Sequence, residues 1–503
     1  MNRREFLQTS GAAAAAPGAQ RPNVLFIMAD QLRFDCLGAN GNGIVKTPNI
    51  DRLAEQSVNL TNAFVQAPVC VPSRISFFTG RYPHSHKNRV NYTPCDAREI
   101  MIQRRLRQAG YRTASVGKLH FTPPTADHAR DTGFDQVQLD DGHGRLDQYS
   151  DYAKWRKLHD PKADVPYDAT VKNRKDGGNP HRAVIDYEFT QTAWVGEKSC
   201  EILRTLAAGR APFFLFSSFF KPHAPRTVPA PFDSLYDGVE IPMAPPVSLA
   251  YIQSLPKPVQ AQILRGKPRY NMDRTLLQWD YRSYYGLITA VDRQVGRILD
   301  ELEKSGQANN TIVVFTSDHG DQMLAHGLEG KNVFFEESVH VPLLVRYPER
   351  LQPGKRTELI EAMDVCPTLL DLCGLPVPEE CQGRSFAQIT GGPGGYRPRE
   401  FVFSENIIPE VITGGALNMP FEPGKGVGGI PHPDAKMIRT KKWKLNYYPS
   451  GAGELYDLEN DPQEYRNLYA DGRESVIREL KGLLLDLLIT ADENDQIARK
   501  WVI

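Results

Sequence analysis

Four apolar segments of this 503-residue chain each end in side chains that can bind a metal, hold an anion or move a proton. The segments span residues 23–28, 113–116, 212–220 and 311–316, and the polar groups that follow them are Asp30-Gln31, Lys118 with His120, Lys221 with His223, and Asp318-His319. Carboxylate and amide oxygens suit hard divalent cations, whereas histidine offers a nitrogen ligand or a proton carrier. The pattern therefore predicts a centre that holds a cation and can also hold an anionic group.

A cysteine lies at the start of a helix-capable segment. Pro72 suits the first turn of a helix, so Cys70 is expected at the helix N-terminus, where unpaired N–H groups favour anions. Arg74 follows one turn later and adds a fixed positive charge. This turn therefore suits a reactive group beside an anionic substrate. A buried, inert thiol is the alternative, because most cysteines behave as small hydrophobic residues.

The elements that must position these groups alternate between strands and helices. This alternation predicts an α/β fold with a large, mostly parallel sheet flanked by helices. Because open parallel sheets bind ligands beyond the carboxyl ends of their strands, the four polar clusters are expected at one edge. Residues 341–347 read as one further strand.

The pattern of predicted strands and helices changes near residue 396. Short strand-like segments at 401–403, 437–439 and 443–447 alternate with turns, and a closing helix is expected over about residues 473–489. We therefore predict a catalytic α/β domain at 21–395 and a smaller C-terminal α+β subdomain at 396–503, with a small sheet and the closing helix.

Composition excludes several classes of function. The formal net charge is +0, from 60 basic and 60 acidic residues, so no general basic field supports nucleic-acid binding. No apolar run approaches the length of a membrane span, and the mean hydropathy of -0.43 is typical of a soluble protein. The seven cysteines form no Cys-x-x-Cys pair, and their spacing assigns no disulfide.

The first twenty residues resemble an export signal. Arg3 and Arg4 precede Phe6-Leu7 and an alanine run, as in a bacterial twin-arginine signal. This predicts a periplasmic or secreted protein. A disordered, alanine-rich tail is the alternative, and the protein is expected in the cytoplasm if the signal does not function.

The motifs of this chain, in their residues and in their order, resemble those of the type I, formylglycine-dependent sulfatases of the alkaline phosphatase-like superfamily. The resemblance spans residues 23 to about 468 and includes Leu119 where an aromatic residue is usual. Its motifs are Cys70-Val71-Pro72-Ser73-Arg74, Thr79-Gly80-Arg81, Gly117-Lys118-Leu119-His120, Lys221-Pro222-His223-Ala224-Pro225, Ser317-Asp318-His319-Gly320-Asp321 and Gly330-Lys331.

The resemblance implies a post-translationally modified nucleophile. A maturation enzyme would oxidise Cys70 to formylglycine, an aldehyde whose hydrate attacks sulfur. Arg74 would fix the hydrate. Lys118 and Lys331 would neutralise the sulfuryl oxygens, and His223 with Lys331 would help the alcohol leave. His120 would then take a proton from the second hydroxyl and expel sulfate.

The resemblance also implies a metal site. Its ligands would be Asp30, Gln31, Asp318, His319 and the group derived from Cys70. Oxygen-rich ligands suit Ca²⁺. Many family members have aspartate in place of Gln31 and asparagine in place of His319, and these departures leave Mg²⁺ or Mn²⁺ open.

The predicted function is hydrolysis of a sulfate ester, on a small molecule or an oligosaccharide, with carbohydrate sulfates as the first choice and aryl sulfates as a further substrate class. The alternative is a phosphonate monoester or phosphodiester hydrolase with the same formylglycine and metal. Gln31, His319 and Lys221-Pro222-His223 favour this alternative, whereas Gly117-Lys118-Leu119-His120 and Lys331 favour a sulfatase. A non-catalytic sulfated-glycan binder is disfavoured because Cys70, Asp30 and Asp318 all remain.

Overall fold

The computed structural model describes residues 21–91, 93–96, 98–142, 147–171, 178–265, 274–391, 395–407 and 434–500. The export signal expected within residues 1–20 lies outside these ranges. Among the described helices, none combines the length and the apolar character that crossing a lipid bilayer requires.

Strands are distributed along the whole described chain. In chain order they are β1 (Asn23–Asp30), β2 (Val58–Leu60), β3 (Ala63–Phe64), β4 (Arg112–Gly117), β5 (Gln136–Leu139), β6 (Phe213–Pro222), β7 (Thr311–Ser317), β8 (His340–Val341), β9 (Leu343–Arg346), β10 (Gly354–Arg356), β11 (Ile360–Glu361), β12 (Val402–Ile407), β13 (Asp434–Arg439), β14 (Trp443–Tyr447) and β15 (Gly453–Asp457). Eight of them form one sheet in the order β10-β2-β9-β7-β1-β6-β4-β5. All neighbours in this sheet run parallel except at β9, which is antiparallel to β2 and β7. The predicted large, mostly parallel sheet is confirmed.

Helices cover both faces of this sheet. In chain order they are α1 (Pro48–Glu55), α2 (Cys70–Thr79), α3 (Pro83–His86), α4 (Ile102–Gln108), α5 (Ala126–Asp131), α6 (Asp151–His159), α7 (Gln191–Ala207), α8 (Leu249–Ser254), α9 (Lys257–Arg265), α10 (Arg274–Lys304), α11 (Glu336–Val339), α12 (Val365–Leu372) and α13 (Glu474–Lys500).

The side chains of β1 show why two layers of helices are needed. Phe26 and its alternate neighbours pack with α2 and α4, whereas Ile27 and its alternate neighbours pack with α7 and α10. A central strand that is buried on both faces reads as a continuous apolar run, as β1 does.

The antiparallel strand β9 corrects one expectation. Residues 341–347 form two strands instead of one, because β8 pairs with β3 in a separate three-stranded sheet and β9 joins the central sheet. Pro342 lies between them. Proline has no N–H for a strand ladder, so the pairing changes partner at this residue.

The C-terminal part contains a four-stranded antiparallel sheet in the order β12-β13-β14-β15. Its inner face holds Phe403, Ile438 and Leu455, which pack with Leu480 and Leu484 of α13. The small sheet and closing helix are therefore present, and the helix extends beyond the predicted residue 489 to Lys500.

Candidate active site

The four polar clusters predicted from the sequence meet at one edge of the central sheet. The strands that deliver them, β7, β1, β6 and β4, are consecutive neighbours in the sheet. Because these strands are parallel, their carboxyl ends bring Asp318, Asp30, His223 and Lys118 to the same edge.

Cys70 is the first residue of α2, as its proline and apolar sequence predict. Its Sγ lies 3.0 Å from Lys331 Nζ and 3.2 Å from His319 Nε2. Burial and the nearby Asp30 carboxylate would raise the pKa of the thiol, but the cations Lys118 and Lys331 outweigh them and bring this pKa well below its ordinary value. Cys70 is thus buried, but its surroundings are those of a reactive group rather than an inert thiol.

The acidic ligands predicted for a metal lie around Cys70. Donor atoms of Asp30, Cys70, Asp318 and His319 all lie within 4.8 Å of one another, and the four residues are buried. His319 Nδ1 lies 2.9 Å from the carbonyl oxygen of Gly320. A carbonyl only accepts hydrogen bonds, so Nδ1 carries a proton and Nε2 is the ring nitrogen that faces the centre. This donor set fits a divalent cation.

Gln31 supplies a further oxygen beside the same group. Its Oε1 accepts a hydrogen bond from Lys331 Nζ at 3.1 Å. Its backbone lies in the left-handed region, with φ of 67°, which a residue other than glycine seldom adopts. The backbone N–H donates to Asp318 Oδ1 at 3.1 Å, and the carbonyl accepts from Tyr284 Oη at 2.7 Å, so neighbouring residues hold this conformation.

Buried cations balance the carboxylates. Arg74 Nε donates to Asp318 Oδ2 at 2.7 Å, and its Nη1 donates to the Lys118 carbonyl at 2.7 Å and to Ser218 Oγ at 2.9 Å. Lys118 Nζ forms an ion pair with Asp30. Burial alone would raise the pKa of Asp30, but Lys118 and the other cations of the centre hold this pKa well below its usual range. Asp30 is therefore ionised and available as a ligand.

The two histidines assigned to proton transfer border the centre. His120 also has left-handed backbone, with φ of 60°, and its N–H donates to Asp141 Oδ1 at 2.9 Å. Burial and the positive charge of Lys118 lower the pKa of His120 well below its usual value. His223 Nδ1 lies 2.6 Å from the Ala224 carbonyl, and burial followed by Lys331 lowers the pKa of His223 in the same way. Both rings are therefore neutral at physiological pH before any substrate binds.

Two further acidic residues belong to this architecture, although the sequence assigned them no role. Asp141 Oδ1 accepts the backbone N–H groups of Leu119 and His120, at 3.0 and 2.9 Å, which fixes the turn after β4. Asp321 is buried beside Gln31. Burial alone would raise the pKa of Asp321, but the Arg226 guanidinium outweighs this effect and lowers the pKa. Asp321 is the last residue of the Ser317-Asp318-His319-Gly320-Asp321 motif, so the sequence could have pointed to it, whereas no motif contains Asp141.

The helix that carries Cys70 is tied to α3 through a buried histidine. His86 Nε2 lies 3.0 Å from Ser76 Oγ, and its Nδ1 accepts the Asn88 N–H at 3.2 Å. Burial lowers the pKa of His86 to about 3, so the folded protein keeps the ring neutral where an unfolded chain would protonate it.

We expect this histidine to make the fold less stable in acid. As the pH falls below roughly 6.5, His86 becomes protonated in the unfolded state but stays neutral in the folded state. The unfolding free energy therefore decreases by up to about 1.4 kcal/mol per pH unit. Urea unfolding between pH 5 and 7.5 measures this slope in the protein and in His86→Gln, whose amide does not titrate. The variant should show the smaller slope, and equal slopes would contradict the expectation.

The fold and this centre define a class of protein: a hydrolase of the alkaline phosphatase-like superfamily, with buried carboxylates, lysines and neutral histidines at one sheet edge. The family profile described as Sulfatase matches residues 22–375. The chain therefore belongs to the sulfatase family, and its enzyme class is sulfuric ester hydrolase.

Similar proteins cover nearly the whole chain. An arylsulfatase of Clostridium perfringens is 30% identical over 505 residues, covering 92% of this chain and 95% of that protein. An N-acetylglucosamine-6-O-sulfatase of Bacteroides thetaiotaomicron is 25% identical over 511 residues, covering 92% of this chain and 85% of that protein. The crystal structure of the phosphonate monoester hydrolase of Agrobacterium radiobacter superposes with a TM-score of 0.79 at 30% identity, covering 94% of this chain and 96% of that one.

Proposed function

We propose that the protein hydrolyses a sulfate ester of a carbohydrate through formylglycine derived from Cys70 and a divalent cation, with aryl sulfates as a further substrate class. The observation that supports this most directly is the position of Cys70 Sγ, 3.0 Å from Lys331 Nζ and 3.2 Å from His319 Nε2. A nucleophile at this point has an anion-binding lysine on one side and metal ligands on the other.

Asp30, Gln31, Asp318, His319 and the modified residue 70 would hold the cation. All of these groups except His319 offer oxygen, which supports Ca²⁺, while the nitrogen of His319 leaves Mg²⁺ and Mn²⁺ open. A bound cation would supply positive charge beside the sulfuryl oxygens. Return of activity to metal-free protein with each ion in turn would identify the ion.

Lys118 and Lys331 would bind the sulfuryl oxygens and neutralise the charge that grows on them during the reaction. As its hydrate, formylglycine would supply one hydroxyl as nucleophile and a second hydroxyl whose deprotonation releases the sulfate. Arg74 would orient residue 70 from one turn further along α2, since its guanidinium is fixed by Asp318, the Lys118 carbonyl and Ser218. Preorganisation of this kind needs no rearrangement during the reaction.

The histidines would move the protons. Neutral His120 is suited to accept the proton of the second hydroxyl. His223 would donate a proton to the departing alcohol. Burial, followed by the positive charge of Lys331, lowers the pKa of His223, and the negative charge of a bound sulfate would offset the charge of Lys331. His223 is therefore expected to take up its proton together with the substrate.

A cavity beside the centre supports a substrate with a sugar-sized organic group. Its volume is about 630 Å³, and Tyr152, Tyr167 and Phe220 are among the side chains that line it. The Phe220 ring centroid lies 5.1 Å from Lys118 Nζ and 4.8 Å from the His223 ring. Ligand pockets have volumes of roughly 300–1,000 Å³ and combine apolar surface with a few polar groups.

A maturation partner and an export route follow from this proposal. Cys70 requires a formylglycine-generating maturation enzyme, which would read the Cys-x-Pro-x-Arg pattern at residues 70–74. Arg3 and Arg4 support export of the matured protein to the periplasm or the exterior.

Phosphonate monoester or phosphodiester hydrolysis is the second candidate. It is favoured by the similarity to the phosphonate monoester hydrolase, at 30% identity over 94% of this chain, and by Gln31 and His319 at the metal site. Lys118, His120 and Lys331 favour the sulfatase instead.

A substrate panel separates the two candidates. Purified enzyme is assayed against sulfated mono- and disaccharides with free sulfate as the readout, and against p-nitrophenyl sulfate and p-nitrophenyl phenylphosphonate. The proposal predicts that a sugar sulfate has the highest kcat/KM. A higher kcat/KM for the phosphonate ester would make the second candidate the main activity.

A further inference from the structure

The side chain of Gln31 is held at both ends. Its Oε1 accepts from Lys331 Nζ at 3.1 Å, on the side of Cys70, and its Nε2 donates to Asp321 Oδ2 at 2.6 Å. Gln31 and Asp321 are both buried, with 3% and 0% of their surfaces exposed, so water does not compete for these bonds. An amide has one oxygen and one NH₂ group, so only one of its two orientations satisfies both contacts.

Asp321 is the group that selects this orientation. An ionised carboxylate only accepts hydrogen bonds, so it accepts the NH₂ of Gln31 and rejects its oxygen. The Asp321 carboxylate is itself fully engaged: Oδ2 also accepts from Arg226 Nη2 at 3.0 Å, and Oδ1 accepts the Met323 N–H at 2.9 Å. It is therefore held rigidly and cannot turn to suit the other orientation.

We propose that Asp321, anchored by Arg226, is a positioning residue that keeps Gln31 Oε1 directed at the metal site. This inference rests on the metal-dependent function proposed above. A flipped amide would present NH₂ hydrogens to the cation and to Lys331, and neither accepts a hydrogen bond. Asp321 thus makes a neutral amide act as a dependable oxygen ligand.

The arrangement also explains why an amide occupies this position. A carboxylate at residue 31 would face the Asp321 carboxylate across the contact that now measures 2.6 Å, and two buried like charges at that separation repel strongly. Residues 31 and 321 therefore form a matched pair, in which the negative charge lies on the residue behind the ligand and not on the ligand itself.

A double-mutant cycle tests the pairing, with Asp321→Asn, Gln31→Glu and the combination of both. The readout is the Ca²⁺ dissociation constant of metal-stripped protein by calorimetry, repeated with Mg²⁺ and with Mn²⁺. With Gln31 present, Asp321→Asn should weaken binding by about 10- to 100-fold, because one neutral amide oxygen replaces the two carboxylate oxygens that accept from Gln31, Arg226 and Met323. In the Gln31→Glu background, the same change should strengthen binding, because the asparagine NH₂ donates to the new carboxylate.

The sign reversal is the result that distinguishes positioning from a structural role. A purely structural Asp321 would weaken metal binding in both backgrounds, and that outcome would overturn the proposal, as would an unchanged affinity in Asp321→Asn. Asp35→Asn is the matched control, because Asp35 pairs with Arg33 at 2.7 Å and its side chain is 59% exposed. It should bind the metal as the wild type does.

Failure of the proposed metal-dependent function and failure of the positioning role of Asp321 would give different results. A wild type that binds none of the three ions would overturn the proposed metal site and the positioning role with it. A wild type that binds an ion but shows no sign reversal would overturn the positioning role alone. If Asp321→Asn does not fold by circular dichroism, Arg226→Gln removes the anchor of the carboxylate and should weaken binding in the same direction, whereas unchanged affinity there would overturn the proposal.

Discussion

Replacement of Cys70 by alanine is expected to lower kcat by at least about 10⁴-fold, as loss of the nucleophile does in other covalent hydrolases. Alanine keeps the first residue of α2 and removes only Sγ, which contacts Lys331 and His319. Helix formation and packing should therefore survive, and the variant should unfold at nearly the same denaturant concentration. The loss is chemical, because alanine offers no group for a maturation enzyme to oxidise.

Cys36→Ala is the matched control for this prediction. Cys36 is another buried cysteine, but burial and Asp35 raise its pKa well above the usual value, so its thiol is inert. This variant should retain wild-type turnover. Peptide mass spectrometry of wild-type protein from its native host should show an aldehyde or its hydrate at residue 70. An unmodified thiol in fully active protein, or a Cys70→Ala variant with substantial turnover, would contradict the formylglycine mechanism.

The sequence predicts the parts of the centre that depend on local structure. A buried strand is predicted from an apolar run, and the residue at the end of that strand is then known from the sequence, as with Asp30 and Asp318. Because these strands are parallel neighbours, placing their ends at one edge requires only the rule that ligands bind beyond the carboxyl ends of such strands. The helix start at Cys70 is similarly local, since Pro72 and the apolar residues after it lie within one turn.

Contacts between distant parts of the chain could not be read in the same way. Lys331 reaches Cys70 from a loop whose course depends on packing, including the hydrogen bond from the Asn332 N–H to the Pro68 carbonyl at 3.3 Å. The orientation of the Gln31 amide depends on Asp321, 290 residues further along the chain. The antiparallel direction of β9 likewise arises from pairing, which a one-dimensional pattern of apolar residues does not encode.

Arg74 connects the stability of the sheet edge to its chemistry. Its guanidinium donates in different directions to Asp318 Oδ2, the Lys118 carbonyl and Ser218 Oγ, at 2.7, 2.7 and 2.9 Å. The side chain is fully buried, so no water can replace a lost donor. A planar fork serves these acceptors at once, whereas the single ammonium of lysine lies on a flexible stem and has a different geometry.

We therefore expect Arg74→Lys, although it keeps the positive charge, to lower the unfolding free energy by about 1–3 kcal/mol, the cost of leaving a buried acceptor without its hydrogen-bond donor. It should also lower kcat by about 10²- to 10³-fold, because Asp318 and residue 70 lose their fixed orientation. Arg52→Lys is the control, since Arg52 pairs with Asp300 at 2.8 Å with both side chains more than 40% exposed, and it should change stability by less than about 0.5 kcal/mol. Urea unfolding and sulfate release are measured on both variants. If Arg74→Lys were as stable and active as Arg52→Lys, a point charge would suffice at this position, and the orienting role of the guanidinium fork would be refuted.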